Sequence, residues 1–302
     1  MKKELDKKKV LICGAGSIGV YLGVKLYSKG HDVKLFGKRK LKGVEECITI
    51  KNKKFKVPEK VFRTLKCKDY DFVFITTKLY DFDNMIKIIK KNKIKSQVFA
   101  AIQNGLVDTS KHSKVLKKKI ASVIVFSGFN LKNNEIFVNP TPVGWKTEYS
   151  RDGKKISEFI FKAGIPCQPD KNLDSLRAEK TIVNCCLNAL SAIENKTFSD
   201  LFKNKKTRER IEKIFGECYH ILEKEYKLDE FEDTKKRMFE NWEKLNHYSS
   251  THQDVFSGRK NEIKFFNGYI VELGKKYNLP VKNNQDILND LAEVIKIQKR
   301  DV

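Results

Sequence analysis

Two patterns in the chain have the residue types and spacing to do chemistry. One is Lys180-Thr-Ile-Val-Asn184-Cys-Cys-Leu-Asn188, which sets Lys180, Asn184 and Asn188 at i, i+4 and i+8. On a helix these positions share a face, one turn apart. Ile182, Val183, Cys186 and Leu187 bury the flanks of that face. A lysine in partly apolar surroundings beside neutral amides has a lowered pKa and can serve as a general acid. A solvated helix face would show the same spacing, so the stripe alone leaves both readings open.

The other pattern is Gly14-Ala15-Gly16-Ser17-Ile18-Gly19, directly after the apolar run Val10–Cys13. In a strand–turn–helix context, Gly14 permits a tight turn, Gly16 lets the backbone approach a pyrophosphate, and Gly19 lets the helix pack closely on the strand. The helix start then offers free N–H groups to phosphates. NAD binders carry an acid at the end of the second strand to hold the ribose 2′-hydroxyl. This chain has Gly37-Lys38-Arg39-Lys40 there, with no acid before Glu45. Cations suit a 2′-phosphate, so NADPH/NADP is the expected cofactor, against the plainer reading of a solvated basic loop.

The elements that must position these residues fall into two halves. In the first, short β-branched runs alternate with helical stretches. Strands are predicted at Val10–Cys13, Val33–Phe36, Phe72–Thr76, Val98–Ile102 and Ile120–Phe126, with helices at Ile18–Ser28 and Asn84–Lys93. Ile48–Val57 has β character, and Ile136–Val138 with Val143–Lys146 reads as an antiparallel pair turning at 139–142. This alternation predicts a parallel sheet with helices on both faces. After Pro169-Asp170 the pattern turns helical: Ser175–Asn195, Thr207–Tyr226, Asp233–Leu245, Arg259–Tyr277 and Asn284–Lys299, with Gly274 and Pro280 at a helix end. The expected architecture is an α/β N-terminal Rossmann-type parallel sheet (1–170, NADP-binding) followed by an all-α C-terminal domain (171–302, substrate and catalysis).

Composition narrows the function classes. The 302 residues are 40% hydrophobic with 6 prolines, which argues for a folded chain. The net charge is +24, and residues 1–170 hold 37 Lys+Arg against 16 Asp+Glu. The rest holds 25 against 22, and the whole chain has 53 Lys to 9 Arg. Lysine excess of this kind favours diffuse solvating charge over bidentate base and phosphate contacts. With no aromatic-interleaved basic motif, no nucleic-acid partner is expected. Seven cysteines (Cys13, Cys47, Cys67, Cys167, Cys185, Cys186, Cys218) lack any C-x-x-C spacing, which fits a reducing compartment. The basic start followed by Val10–Val24 resembles a signal peptide, but four glycines interrupt the apolar stretch and no cleavage site follows. No apolar run approaches membrane-spanning length. A cytoplasmic protein with no membrane partner is expected.

A further segment runs Ser249-Ser250-Thr-His-Gln-Asp254-Val-Phe-Ser-Gly-Arg259-Lys-Asn-Glu262-Ile-Lys-Phe-Phe-Asn267-Gly268. With it, the chain resembles the ketopantoate reductases (2-dehydropantoate 2-reductases) over nearly its whole length after about eight residues. The family's elements occur in order: the glycine turn, Thr76-Thr77-Lys78, Asn104-Gly105, K-x-x-x-N-x-x-x-N, S-S-x-x-Q-D, then R-x-x-E-I and N-G. The resemblance implies NADPH-dependent reduction of a small-molecule 2-oxoacid, with ketopantoate the leading substrate, and it leaves a homodimer open. It makes Lys180 the general acid and places Glu262 near the nicotinamide ribose and substrate. Asn184, Asn188 and Ser250 hold the substrate, Lys78 and Asn104 line the cleft, and Lys38 falls where the family commonly has an Arg for the 2′-phosphate, with Arg39 of the same basic run beside it. His252 takes no role in the family and reads as structural. Three positions depart from the pattern: Phe198 where an Asn is common, Val281-Lys282 in place of Thr-Pro, and Glu262-Ile263-Lys264 in place of E-I-D. Alternatives are a reductase of another branched or aromatic 2-oxoacid, and a non-catalytic Rossmann protein binding NADPH or nucleic acid.

Overall fold

The computed structural model describes residues 6–37, 47–61, 68–139 and 141–300. The chain divides into two compact units, up to Leu173 and from Asp174 onward.

The first unit is built on β1 (Lys9–Cys13), α1 (Ser17–Tyr27), β2 (Asp32–Phe36), β3 (Cys47–Ile50), β4 (Lys53–Lys56), β5 (Glu59–Val61), β6 (Asp69–Ile75) and α2 (Leu79–Lys91). It continues with β7 (Lys95–Ile102), α3 (Ser110–Leu116), β8 (Ile120–Val125), β9 (Gly128–Lys132), β10 (Glu135–Asn139), β11 (Trp145–Glu148), α4 (Arg151–Lys162) and β12 (Cys167–Asp170). Eight strands form one sheet in the order β12-β11-β8-β7-β6-β1-β2-β5, parallel except where β11 meets β8. The strand order reverses beside β1, which pairs with β2 on one side and β6 on the other. That reversal opens a crevice at the carboxyl ends of the strands, the usual ligand position in open α/β sheets.

Both faces are covered, which is why the central strands are continuous apolar runs. Val10, Ile12, Phe72 and Phe74 pack with Val20 and Val24 of α1 and Ile156, Phe159 and Ile160 of α4. Leu11, Cys13, Val73 and Ile75 point the other way, to Phe82, Met85, Ile86 and Ile89 of α2. The helix over Arg151–Lys162 is absent from the sequence expectation. Ser150 caps it by accepting from Gly153 N at 3.0 Å, and only three or four apolar residues mark its inner face.

The expected hairpin between Ile136–Val138 and Val143–Lys146 does not form. Strand β10 pairs antiparallel with β9 and parallel with β3 in a separate four-stranded sheet, β4-β3-β10-β9. Strand β11 instead joins the main sheet between β8 and β12. Two-residue turns explain the small sheet. Lys51-Asn52 and Asn133-Asn134 have left-handed φ of 48° and 60°, and 49° and 59°. Such pairs match the twist of tight hairpins, so each strand turns back on its immediate neighbour.

The second unit is helical among the described residues. It contains α5 (Leu173–Val183), α6 (Ala189–Ile193), α7 (Phe198–Phe202), α8 (Lys205–Leu222), α9 (Phe231–Trp242), α10 (Ser250–Phe256), α11 (Asn267–Lys276) and α12 (Lys282–Arg300). Helices α7 and α10 stand outside the expected pattern, and two further details differ from it. The helix expected over Arg259–Tyr277 begins only at Asn267, after a short 3-10 turn at Ile263–Phe265. Gly274 lies inside α11 rather than ending it. A Cβ there would sit 2.2 Å from Val281 Cγ1 and 2.8 Å from Ile221 Cδ1, so the glycine admits close packing.

Candidate active site

In the first unit, the sequence-predicted turn joins β1 to α1. Gly14 has φ +123°, and a Cβ on it would lie 2.7 Å from both Thr76 Oγ1 and Thr77 N. A Cβ on Gly19 would lie 1.9 Å from the Gly14 carbonyl oxygen. The turn is thus packed shut on its inner side. Gly14 N donates to Phe36 O at 2.9 Å, Thr76 N to Cys13 O at 2.8 Å, and the Thr76 hydroxyl to Gly14 O at 2.7 Å. Thr76 is a lock on this turn that the glycine pattern does not reveal.

The outer side is open. A Cβ on Gly16 meets nothing within 4 Å. Gly16 caps α1 with no side-chain hydrogen bond, and the first turn carries no acid. Ala15, Ser17 and Ile18 are half-buried around it. Free helix N–H groups facing empty space next to a bare Cα fit a pyrophosphate. Lys78, at the start of α2, and Asn104, just after β7, stand at the carboxyl ends of β6 and β7, which are paired neighbours in the sheet. Lys38 and Arg39 lie outside the described residues, as does Lys40.

In the second unit, Lys180 sits near the end of α5 and the chain then departs from α geometry. Asn184–Asn188 is a single π turn before α6. The even one-turn spacing expected for the stripe is therefore corrected. The i+5 pairing widens the helix at the two asparagines, a distortion that recurs at functional sites. They remain together, with Asn188 Nδ2 donating to Asn184 Oδ1 at 3.1 Å. Both are buried, and Asn184 Nδ2 has no hydrogen-bond partner among the described residues. A buried amide donor without a partner costs stability, and it is ready to meet an anion.

Lys180 is half-buried as a residue, yet its amine is densely surrounded. Burial pushes its pKa down to about 7, the guanidinium of Arg177 adds to the fall, and the Glu262 carboxylate opposes it. Glu262 is 4% exposed and Arg177 6%. Arg177 is missing from the sequence reading, although its place one turn before Lys180 is the signal that could have found it.

Ser250 opens α10, and its neighbour Ser249 fixes that opening. Ser249 Oγ accepts from His252 N at 2.9 Å and donates to Asn188 O at 2.8 Å, while Ser249 N donates to Ser191 Oγ at 3.2 Å. The first serine of the pair is thus the strut tying α10 to the asparagine turn. The Ser250 hydroxyl makes no hydrogen bond among the described residues. His252 places Nε2 2.7 Å from Asn195 Oδ1 and stacks between Tyr248 and Phe256. Phe198 is buried at the start of α7, packed on the His247 ring at 4.8 Å between centroids.

The first unit has the fold and the open glycine turn of a dinucleotide binder, and the second unit, taken by itself, holds a desolvated lysine near a buried glutamate and a buried amide with no partner among the described residues. The family models for ketopantoate reductase PanE/ApbA match residues 10–143, and those for its C-terminal region residues 172–294. The chain belongs to the ketopantoate reductase family, and it is an NADP-dependent oxidoreductase that reduces a 2-oxoacid. The 2-dehydropantoate 2-reductase of Aquifex aeolicus is 29% identical over 305 residues, covering 92% of this chain and 94% of that one. The enzyme of the same name from Archaeoglobus fulgidus is 25% identical, covering 93% and 96%. Among solved structures, a PanE/ApbA family ketopantoate reductase from Ralstonia eutropha JMP134 superposes with a TM-score of 0.85 at 23% identity, covering 96% and 99%. D-mandelate dehydrogenase with NADH and anilino(oxo)acetate reaches 0.80 at 18% identity over the same shares. These two structures share the fold.

Proposed function

We propose that the protein reduces 2-dehydropantoate to pantoate with NADPH, the reductive step towards pantothenate and coenzyme A, in the reducing cytoplasm. The observation that carries this reading is the desolvated Lys180 near Glu262, followed at once by the π turn whose Asn184 Nδ2 has no hydrogen-bond partner among the described residues. Bound NADPH supplies the hydride.

The chain supplies the rest. Gly14 to Gly19 hold the pyrophosphate, Lys38 and Arg39 the 2′-phosphate, and Lys78 and Asn104 line the nicotinamide end. Asn184, Asn188 and Ser250 hold the carboxylate and hydroxyls of the substrate. Lys180 hydrogen-bonds the keto oxygen, stabilises the negative charge that grows there and passes its proton to it. General acid catalysis of this kind is worth roughly 10²–10⁴-fold. A pKa of about 7 keeps a large protonated fraction at neutral pH while leaving the proton easy to give up. Glu262 holds the ammonium in its charged form.

Phe198 favours a second reading. A ring where the family commonly has an amide suits a 2-oxoacid with a larger or aromatic side chain. Oxidation of NADPH and of NADH, followed at 340 nm against ketopantoate, other branched 2-oxoacids and phenylglyoxylate, separates the two. Ketopantoate with NADPH should give the highest kcat/KM. A higher value for phenylglyoxylate selects the second reading, and no oxidation with any 2-oxoacid refutes both.

A further inference from the structure

We infer that Asn267 is a positioning residue for substrate binding, its buried amide pinning the π turn at the Cys185 carbonyl and so setting where the neighbouring Asn184 amide stands. The inference rests on the proposed role of Asn184. Asn267 is the first residue of α11 and is wholly buried. Its Nδ2 donates to Cys185 O at 3.1 Å and to Asn284 Oδ1 at 2.9 Å. Asn284, also wholly buried, donates in turn from Nδ2 to Glu217 Oε2 at 2.8 Å. A chain of side chains thus runs from α8 through α12 and α11 into the π turn.

The direction of this chain is fixed at the Glu217 end. A carboxylate only accepts, so Asn284 turns its amide nitrogen to Glu217 and its oxygen to Asn267. That oxygen also takes the Cys218 thiol at 3.6 Å, and Glu217 Oε2 takes Asn284 N at 2.9 Å. Asn267 must then present its own amide hydrogens, which is what a backbone carbonyl needs.

Stability alone favours a simpler arrangement. In a regular α-helix the Cys185 carbonyl would be met from within by the N–H of Ala189, four residues on. An apolar residue at position 267 would then cost nothing at that carbonyl, and Asn284 Oδ1 would keep the thiol. The protein instead holds a buried amide whose Oδ1 has no hydrogen-bond partner among the described residues, set against a π turn. Such an oxygen costs stability. Side chains inserted at helix carbonyls are also a known cause of irregular turns. The far end of the turn is held the same way, by Ser249 Oγ on Asn188 O at 2.8 Å. Between these two clamps Asn188 Nδ2 occupies Asn184 Oδ1 at 3.1 Å, and Asn184 Nδ2 is left as the donor with no partner among the described residues.

The test is a double-mutant cycle of N267A and N184A, read as KM for ketopantoate with kcat and NADPH affinity measured alongside. N184A removes the donor, and N267A releases it from its place. Each alone should raise KM by about tenfold or more, the scale of a lost hydrogen bond to a charged group, with NADPH affinity within about twofold of the wild type. In the N184A background, N267A should add less than about threefold, because the amide it positions is gone. If N267A fails to fold, N267L, of nearly the same shape but without the donor, carries the same cycle with the same expectation. A merely structural role would lower the urea midpoint with KM unmoved, or would multiply in full with N184A, and either result overturns the inference. Failure of the underlying reading looks different: N184A alone would then leave KM at the wild-type value.

Discussion

Replacing Gly16 and Gly19 by alanine, one at a time, separates the two duties of the phosphate-binding turn. At Gly19 the added methyl carbon would stand 1.9 Å from the Gly14 carbonyl oxygen and 2.6 Å from Thr76 Oγ1. Ordinary carbon–oxygen contacts exceed about 3 Å, so α1 must retreat from β1 by on the order of 1 Å, across a core in which Val20 and Val24 are fully buried. Overpacking of this kind costs about 3 kcal/mol at the upper end of its usual range. For a unit of this size that lowers the thermal midpoint by about 6–12 °C. At Gly16 the same methyl meets nothing within 4 Å, and the backbone φ of −80° suits alanine. The remaining cost is the poorer N-cap, under about 1 kcal/mol.

Affinity for cofactor should follow a different order from stability. The Gly16 methyl occupies the open space assigned to the pyrophosphate, so NADPH should bind at least about tenfold more weakly, a loss of about 1.4 kcal/mol. Thermal unfolding of the ligand-free protein and titration of NADPH fluorescence measure the two quantities separately. G16A should be nearly as stable as the wild type and poor at binding, whereas G19A should be deficient in both. Wild-type NADPH affinity in G16A, or equal destabilisation by the two substitutions, would refute the assignment of the open side of the turn to the cofactor.

Two further substitutions probe the helical unit. S249A removes the cap of α10 and strands the Asn188 carbonyl, which should cost about 2–3 kcal/mol in urea unfolding and raise KM for the 2-oxoacid with little change in NADPH affinity. Glu217 accepts four hydrogen bonds from the backbone and side chains of Asn283 and Asn284 at the start of α12. E217Q turns one acceptor oxygen into a donor facing donors, so it should lower the urea midpoint by the equivalent of about 2 kcal/mol and leave the pH profile of turnover unchanged.

What could be read from the chain was local. Gly14, Gly16 and Gly19 answer requirements of backbone within a few residues, and the buried strands announce themselves because both faces of the sheet are covered. The partner of β10 was not legible, since strands of similar character can pair with any free edge and the choice of β3 over β11 is made by residues some 85 positions away. Helix α4 was hidden by Gly153, whose missing side chain lets the Glu148 carbonyl approach where a Cβ would stand at 1.9 Å. In the helical unit the residue types of the stripe were plain, while the π turn that widens it at Asn184 leaves no periodic trace over five residues. The serine pair shows the same limit. Both serines fit a helix start, and only the three-dimensional contacts show Ser249 as the strut and the Ser250 hydroxyl as the one that makes no hydrogen bond among the described residues.

The central claim is that Lys180 is the proton donor of a 2-oxoacid reductase. Single-turnover oxidation of bound NADPH by ketopantoate in K180A tests it most directly, with NADPH affinity measured on the same preparation. The rate should fall by about 10²–10⁴-fold while the affinity stays within about twofold of the wild type. A K180A enzyme that reduces ketopantoate at the wild-type rate would contradict the account.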